Sequence, residues 1–336
     1  MVNLRYLLRV FSSFSIHKFR SAVRKAHSVS GKPRLFIAVD ILWCALRYGG
    51  GYYDYCTFAF YNLTGRERDT FMTRLRSKRI NTALNDPEYQ HFFQNKGEFN
   101  QVFSSYLRRD YLAIDGAEQN DIRRFLHSHP VFFAKPVSGE CGIGCMLVRR
   151  RDFPDDGACE AFLRGNGCTL LEEPIIQHHA MRSVYPHAVN CLRIMTLIDD
   201  GGTPQCIYAT QKFGMNGRVV DNSALRSPVD LETGRILFPA VSGATGEVFT
   251  EHPESHVKIQ GFQVPHFSEA VEMCLQAATV IPQIRYVGWD VAITDAGPVI
   301  VEGNTSCAYD FWQLPPHTPN KTGVMPIFRR YAPSIF

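Results

Sequence analysis

No apolar run in the 336 residues reaches the roughly 18 positions that a membrane-spanning helix needs. Internal repeats and low-complexity segments are also missing, which excludes a linear array of repeated units. The formal net charge of +4 is too small to point to nucleic acid. Ten cysteines are present but scattered. Cys141 and Cys145 form the one close pair, with no second pair to complete a zinc site or a dense disulfide framework. Reduced structural thiols in a cytosolic protein are the expectation. Acidic residues are absent before Asp40, over a stretch that holds Arg5, Arg9, Lys18, Arg20, Arg24, Lys25, Lys32 and Arg34.

What remains is an ordinary globular composition, 45% hydrophobic and 20% charged, long enough for two or three subdomains. Leu4, Leu7, Leu8, Phe11 and Phe14 lie at helical spacing among the first cations. They read either as a helix packed on the body with its basic face in water, the preferred account, or as a basic amphipathic helix in peripheral contact with anionic lipid. A secretory signal is not indicated, because Arg9 interrupts a short apolar stretch and no clear small-residue cleavage site follows. The expected location is cytoplasmic, with membrane association open, as is the oligomeric state.

The texture changes along the chain. Residues 1–110 read as mainly helical, with segments at Ile37–Arg47, Glu67–Asn81 and Pro87–Phe103. From about 111, short apolar runs separated by Gly, Ser and Pro predict strands at Tyr111–Ile114, Val131–Lys135, Cys145–Arg149 and Thr169–Glu173, with one helix over Asp155–Arg164. A longer pair follows at Ala188–Asp199 and Gln205–Phe213, then a helix over Phe267–Ile281 and a hairpin ending near Asn304. The class is α+β, divided as 1–110, 111–175 and 176–336.

Four stretches carry chemistry. In the last hairpin, Asp290-Val-Ala-Ile-Thr and Pro298-Val-Ile-Val-Glu302 flank a turn at Asp295-Ala-Gly. Glu302 and Asn304 are two apart and share a face, and a suitable register adds Asp290. Three oxygen donors on one face suit a hard cation such as Mg²⁺, although a solvated hairpin end would read the same way. Second, Lys135 ends a strand and enters Pro-Val-Ser138-Gly139-Glu-Cys-Gly142-Ile-Gly144 before the next strand begins. The lysine precedes the glycines and strand follows loop, so this is no Walker loop. It reads as a hairpin flap over phosphates, or as a common glycine-rich turn beside a surface lysine.

Third, Leu170-Leu-Glu172-Glu173-Pro174-Ile175 runs a strand into a proline that cannot continue it. Such a corner either offers backbone groups to an adenine edge or is a linker with solvated glutamates. Fourth, Arg193 lies inside the strand-like run Asn190-Cys-Leu-Arg-Ile-Met-Thr-Leu, and Lys212 closes the next. Burying an arginine is costly unless it meets an anion, either a ligand or a carboxylate such as Glu172 or Glu302.

In order and spacing these pieces resemble the ATP-grasp superfamily over about residues 90–310. The resemblance is carried by Lys96 in Gln-Asn-Lys-Gly-Glu-Phe, Lys135 with its flap, Leu-Glu-Glu-Pro-Ile-Ile, Arg193, Lys212 and Asp290…Glu302-Gly-Asn304. More narrowly the chain is similar to the sugar-transfer-associated, or α-L-glutamate-ligase-related, subgroup. That likeness lies in Asp54-Tyr-Cys-Thr-Phe, Leu84-Asn85, Val189–Leu197, Val220-Asp-Asn222 and Gly288-Trp-Asp290-Val. One departure is visible: Ser-Ala-Leu-Arg226-Ser follows Asn222 where the subgroup has a glycine pair.

The resemblance implies two α+β lobes clasping ATP behind a helical N-terminal region. It implies that Lys96, Lys135 and the flap residues Ser138, Gly139, Gly142 and Gly144 meet the phosphates. Glu172, Glu173 and Ile175 would hold the adenine, with His179 near the ribose. Asp290, Glu302 and Asn304 would bind one or two Mg²⁺ ions, Arg193 and Lys212 would act on the transferring phosphoryl group, and Asn222 and Arg226 would line the acceptor site. The implied activity is a carboxylate–amine ligase working through an acyl phosphate on small-molecule acid and amine substrates, in polysaccharide, cell-surface or secondary-metabolite synthesis. A phosphotransferase acting on a hydroxyl and a non-catalytic nucleotide-binding scaffold are the alternatives. Cys307 is not needed as a nucleophile once ATP activates the acid. The aromatic segment Tyr52–Tyr61 reads equally as a platform for sugar rings or as core.

Overall fold

The computed structural model describes residues 15–138, 144–217 and 224–336. The apolar heptad-like stretch at Leu4–Phe14, the flap glycines Gly139 and Gly142, and Asn222 lie outside the described residues. Contacts divide the chain into two compact units, at Ala83/Leu84 and again at Cys307/Ala308, whereas the sequence texture changes near residue 110.

The first unit takes the described part of Met1–Ala83 together with Ala308–Phe336. Ser15 caps the helix Ile16–Ser30 by accepting from the Lys18 N–H at 3.3 Å, and Pro33 opens the helix Arg34–Tyr48. Ala22, Val23, Ala26, Ile37, Ile41 and Cys44 pack with Tyr55, Phe58, Phe60, Tyr61 and Phe71 into one core. The aromatic segment is therefore core at Tyr55, Phe58, Phe60 and Tyr61, and only Tyr53 is well exposed. Within this unit the C-terminal segment is tied in by polar groups. The Gln313 side chain accepts from Met72 N–H at 2.7 Å and donates to the Met72 carbonyl at 3.1 Å, and Tyr309 donates to Asp54 at 2.8 Å. The expected helix over Glu67–Asn81 is two pieces, Gly65–Asp69 and Arg74–Leu84.

The second unit, Leu84–Cys307, holds two antiparallel sheets. The smaller has the order β1-β4-β2-β3, from β1 (Tyr111–Ala113), β2 (Val131–Lys135), β3 (Met146–Arg149) and β4 (Leu170–Glu172). The helices Gln119–Ser128 and Asp156–Gly165 cover one of its faces through Ile122, Phe125, Leu126, Cys159 and Leu163, against Phe132, Ala134, Val148 and Leu171. The first of these helices has no counterpart in the sequence reading. Residues alternate across a strand, so Phe133, Lys135, Leu170 and Glu172 project from the opposite face.

The larger sheet has seven strands in the order β11-β10-β5-β6-β7-β8-β9. These are β5 (Leu192–Ile198), β6 (Pro204–Phe213), β7 (Leu225–Val229), β8 (Ala240–Ser242), β9 (Val248–Phe249), β10 (Tyr286–Thr294) and β11 (Gly297–Asn304). The expected strands at 188–199, 205–213 and the final hairpin are present, the first beginning four residues late. β7, β8 and β9 were not anticipated, and Arg226, expected in a loop, sits on β7. One face of this sheet buries Leu192, Ile194, Ala209, Trp289, Val291 and Ile293 against the helix Phe267–Ala278. Its other face carries Arg193, Thr210, Lys212 and Asp290. Among the described residues no helix is long and apolar enough to cross a membrane.

Candidate functional site

On the polar face of the larger sheet, side chains from four strands line up. Glu302 on β11 stands opposite Asp290 on β10, Asp290 opposite Arg193 on β5, and Arg193 opposite Thr210 on β6. The neighbouring row is Asn304, Gly288, Met195 and Tyr208. Lys212 follows Thr210 on the same face and pairs in register with Arg226. Asp290 is buried and fully engaged. Arg193 grips it bidentately, Nε to Oδ1 at 2.6 Å and Nη2 to Oδ2 at 2.7 Å, and Lys212 Nζ stands 2.9 Å from Oδ1. Burial alone would raise the Asp290 pKa, but Arg193 and Lys212 hold its carboxyl well below the usual range. Burial likewise works against the Arg193 charge, and Asp290 more than offsets it. The structural ion pair weighed for Arg193 thus exists, with Asp290 as the partner instead of Glu172 or Glu302.

Glu302 and Asn304 share this face at one end of the row, the Asn304 amide donating to Glu302 Oε1 at 3.2 Å. A bulge lies just before them. The register jumps between Asp290↔Glu302 and Val291↔Ile300, so Val301 is the extra residue. The Arg109 guanidinium closes that bulge, donating to the Ile300 carbonyl at 2.7 Å and to the Val301 carbonyl at 3.3 Å. The same Arg109 meets Glu172 Oε2 with Nη2 at 3.0 Å. Arg109 therefore spans from the end of β4 to the metal-candidate strand β11.

Glu172 is not a solvated linker residue. It is buried, Lys135 Nζ reaches its Oε2 at 2.6 Å, and Asn100 donates to Oε1 at 3.0 Å. Burial would raise its pKa; Lys135 and Arg109 override that and bring it down to about 2. Of the other residues expected at the adenine corner, Glu173 is paired with Asp110, its N–H to the Asp110 carbonyl at 2.9 Å and its Oε2 to the Asp110 N–H at 3.2 Å. Ile175 lies in the segment without regular structure that follows β4. His179 is exposed and its Nδ1 sits 3.3 Å from Asp295 Oδ1 in the β10–β11 turn, with His178 stacked beside it at a ring separation of 4.1 Å.

At the base of the flap, the Lys96 N–H donates to the Val137 carbonyl at 2.9 Å, which joins the first turn of the helix Lys96–Val102 to the chain after Lys135. Gly144, the first described residue after position 138, has φ +79°, and a Cβ there would meet Pro136 at 2.9 Å. A cleft of about 830 Å³ opens here, lined by Asn95, Gly97, Tyr111, Ala113, Val137 and Ser138. Cys307 is buried, donates to the Asn304 carbonyl at 2.9 Å, and burial pushes its thiol up to about 12. A thiol so placed is a packing group and not a poised thiolate.

Sequence reasoning missed Arg109 and Asn100. Arg109 sits in Arg108-Arg109-Asp110, which reads as a charged turn, and Asn100 is an ordinary helical amide. No local signal marks either; both act through partners at least 60 residues away in the chain.

Two lobes of mixed helix and antiparallel sheet are the arrangement expected of the ATP-grasp class. Residues 159–328, half of the chain, match the family described as sugar-transfer associated ATP-grasp, and the chain belongs to that family. Solved structures similar to it include the ATP-grasp ligase PsnB complexed with minimal precursor, at 16% identity over 74% of this chain and 64% of that one, with a TM-score of 0.40. The D-alanine-D-alanine ligase from Coxiella burnetii is similar at 11% identity over 71% and 59%, TM-score 0.38. The N5-carboxyaminoimidazole ribonucleotide synthetase from Thermotoga maritima is similar at 9% identity over 65% and 43%, TM-score 0.38. The chain spans less than two thirds of the length of each of these. Nothing among curated proteins matches.

Proposed function

We propose that this chain is an ATP-dependent carboxylate–amine ligase. The observation that carries the reading is the row Glu302–Asp290–Arg193 with Lys212 and Arg226 beside it. It sets oxygen donors at one end and a group of cations at the other, on a single rigid face. That polarity suits a reaction in which a triphosphate enters and negative charge develops during phosphoryl transfer.

The residues fit a hard cation at Glu302 and Asn304, whose donors are oxygen and whose spacing puts them on one face. Asp290 is the weaker candidate ligand, since both of its oxygens are already held. Mg²⁺, when bound, supplies charge neutralisation of the transferring phosphoryl group. The chain's own groups do the rest. Lys135, kept in place by Glu172, and the flap from Ser138 to Gly144 receive the phosphates. Arg193, fixed in orientation by Asp290, and Lys212 meet the charge that builds on the acid. A carboxylate is a poor electrophile because oxide would have to leave. Phosphorylation supplies a good leaving group, an amine attacks the resulting acyl phosphate, and an amide and inorganic phosphate form. Arg226 is assigned to the acid substrate, and the site must exclude water, which would hydrolyse the activated acid.

The test is a screen of acid–amine pairs for ADP release that needs both partners, with mass spectrometry of the product. An amide carrying the mass of acid plus amine less water supports the ligase. ADP formed with a phosphoester and no amide assigns the chain to phosphotransfer instead. Glu302→Ala should abolish turnover in a protein that remains folded.

A further inference from the structure

The helix Arg34–Tyr48 has two apolar sides. Ile37, Ile41, Cys44 and Tyr48 face the core of their own unit. On the other side Leu35, Phe36, Val39, Leu42, Trp43 and Leu46 are between 49% and 78% exposed. At about 100° per residue these six fall within an arc of about 120°, centred opposite the buried four. A single exposed leucine needs no explanation, but six large apolar side chains in one unbroken stripe form a patch that a solitary soluble surface does not maintain.

The charge of this part of the chain bears on what covers the stripe. Between residues 15 and 53 the chain carries Lys18, Arg20, Arg24, Lys25, Lys32, Arg34 and Arg47, and Asp40 is its one acid. Asp40 does not offset these charges at the surface. Arg68 holds both its oxygens, at 2.7 and 2.8 Å, and Tyr55 donates to it at 2.8 Å. The stripe is bordered by exposed cations at its two ends, Arg34 directly before Leu35 and Arg47 directly after Leu46. Lys32 Nζ, 5.6 Å from the centre of the Phe36 ring, donates to the Tyr61 carbonyl. A second copy of the chain would bring like charges together along the same stripe. An anionic lipid surface takes both features at once: the acyl boundary receives the apolar side chains, and the headgroups pair with the cations. Trp43 and Phe36 are residue types suited to that boundary.

We propose that the outer face of the helix Arg34–Tyr48 docks this protein on an anionic bilayer, with Leu35, Val39, Leu42, Trp43 and Leu46 seated at the headgroup boundary. The proposal stands apart from the ligase reading, because none of these residues belongs to the nucleotide or metal candidates.

The experiment uses the full chain with vesicles of phosphatidylcholine alone and of phosphatidylcholine with phosphatidylserine. The wild type should sediment with the serine-lipid vesicles, less so as sodium chloride is raised, and its tryptophan emission should shift to the blue. Leu42→Gln with Trp43→Gln and Leu46→Gln should lower the bound fraction by at least about tenfold. Those side chains are exposed, so the melting temperature should stay at the wild-type value. Arg34→Glu with Arg47→Glu leaves the apolar stripe intact and should weaken binding to serine-lipid vesicles alone. Three results overturn the proposal: no sedimentation with serine-lipid vesicles at low salt, equal sedimentation of the folded triple variant, or a wild-type dimer that the triple variant converts to monomer, which gives the stripe to a second copy.

Discussion

Glu172 on the small sheet and Asp290 on the large sheet are both buried carboxylates, and each is held between two cations. Glu172 has Lys135 and Arg109; Asp290 has Arg193 and Lys212. The difference lies in what the cations do next. Arg109 is itself buried and spends its remaining donors on the bulged carbonyls of β11, so its role is to join β4 to the strand that bears Glu302. Arg193 and Lys212 stay on an open face with about a fifth of each side chain exposed. One carboxylate thus joins two strands, and the other orients two cations on a partly exposed face. Two arrangements of the same chemistry differ because the cations sit differently: Arg109 reaches across to the Val301 bulge, whereas Arg193 lies beside Asp290 on the regular β5–β10 pairing.

The largest expected effect separates the two. Asp290→Ala leaves the largely covered Arg193 without its bidentate partner, and since breaking a fully buried pair from one side costs about 3–5 kcal/mol, about 2–4 kcal/mol is expected for this partly exposed one. Urea unfolding should show a matching loss, and the double variant Asp290→Ala with Arg193→Met should recover part of it. A loss below about 1 kcal/mol would mean the pair is a solvated contact instead of a fixed element.

Acid sharpens the comparison next. Glu172 sits at about 2 in the fold against an ordinary 4.5. A depressed carboxyl pKa stabilises the fold fully above the unfolded value, and that contribution fades as the pH falls from 4.5 toward 2. Stability measured across that window should therefore slope downward with falling pH in the wild type. In Glu172→Gln the slope should be shallower, with the Asp290 contribution remaining. Identical slopes would remove Glu172 from the ion-paired frame.

A smaller effect is expected at Gly288, which lies in the row next to Asp290. A Cβ there would stand 2.8 Å from both Cys307 Sγ and Met195 Sδ and 3.1 Å from Arg193 Nη1. Gly288→Ala should cost about 1–3 kcal/mol by overpacking and should displace Arg193 from its grip on Asp290. The check is a urea midpoint together with turnover. Wild-type values for both would show that this row yields more easily than the contacts imply.

Much of this was legible in the chain. The hairpin ending at Asn304 could be read because its strands are β-branched and its turn carries Asp295-Ala-Gly; the spacing of Glu302 and Asn304 then follows from strand alternation. Lys135 stood out as a cation at the end of an apolar run, and Arg193 as one inside another. The partners of Arg193 and Glu172 were not legible, since a buried arginine announces that an anion is near without saying which. Asp290 was read for its oxygens alone, and the register that puts Arg193 opposite it is a property of two strands almost a hundred residues apart. β7 to β9 escaped because they are short and interrupted by Pro228, Gly243 and Gly246, which read as turns. The helix Gln119–Ser128 escaped because only Ile122, Phe125 and Leu126 of its ten residues are apolar and buried. The outer stripe of Arg34–Tyr48 was visible only as an apolar helical period, which cannot tell a buried helix from one with an unpartnered side.

The most direct test of the account is calorimetric titration of the protein with a non-hydrolysable ATP analogue, with Mg²⁺ and then with excess EDTA. The open faces of the two sheets should take one nucleotide per chain with Mg²⁺. Binding should weaken markedly in EDTA and in Lys135→Ala, while both proteins keep the wild-type fold by circular dichroism. Absence of binding by the wild type, or equal affinity in the folded Lys135→Ala variant, would contradict the assignment of these faces to ATP.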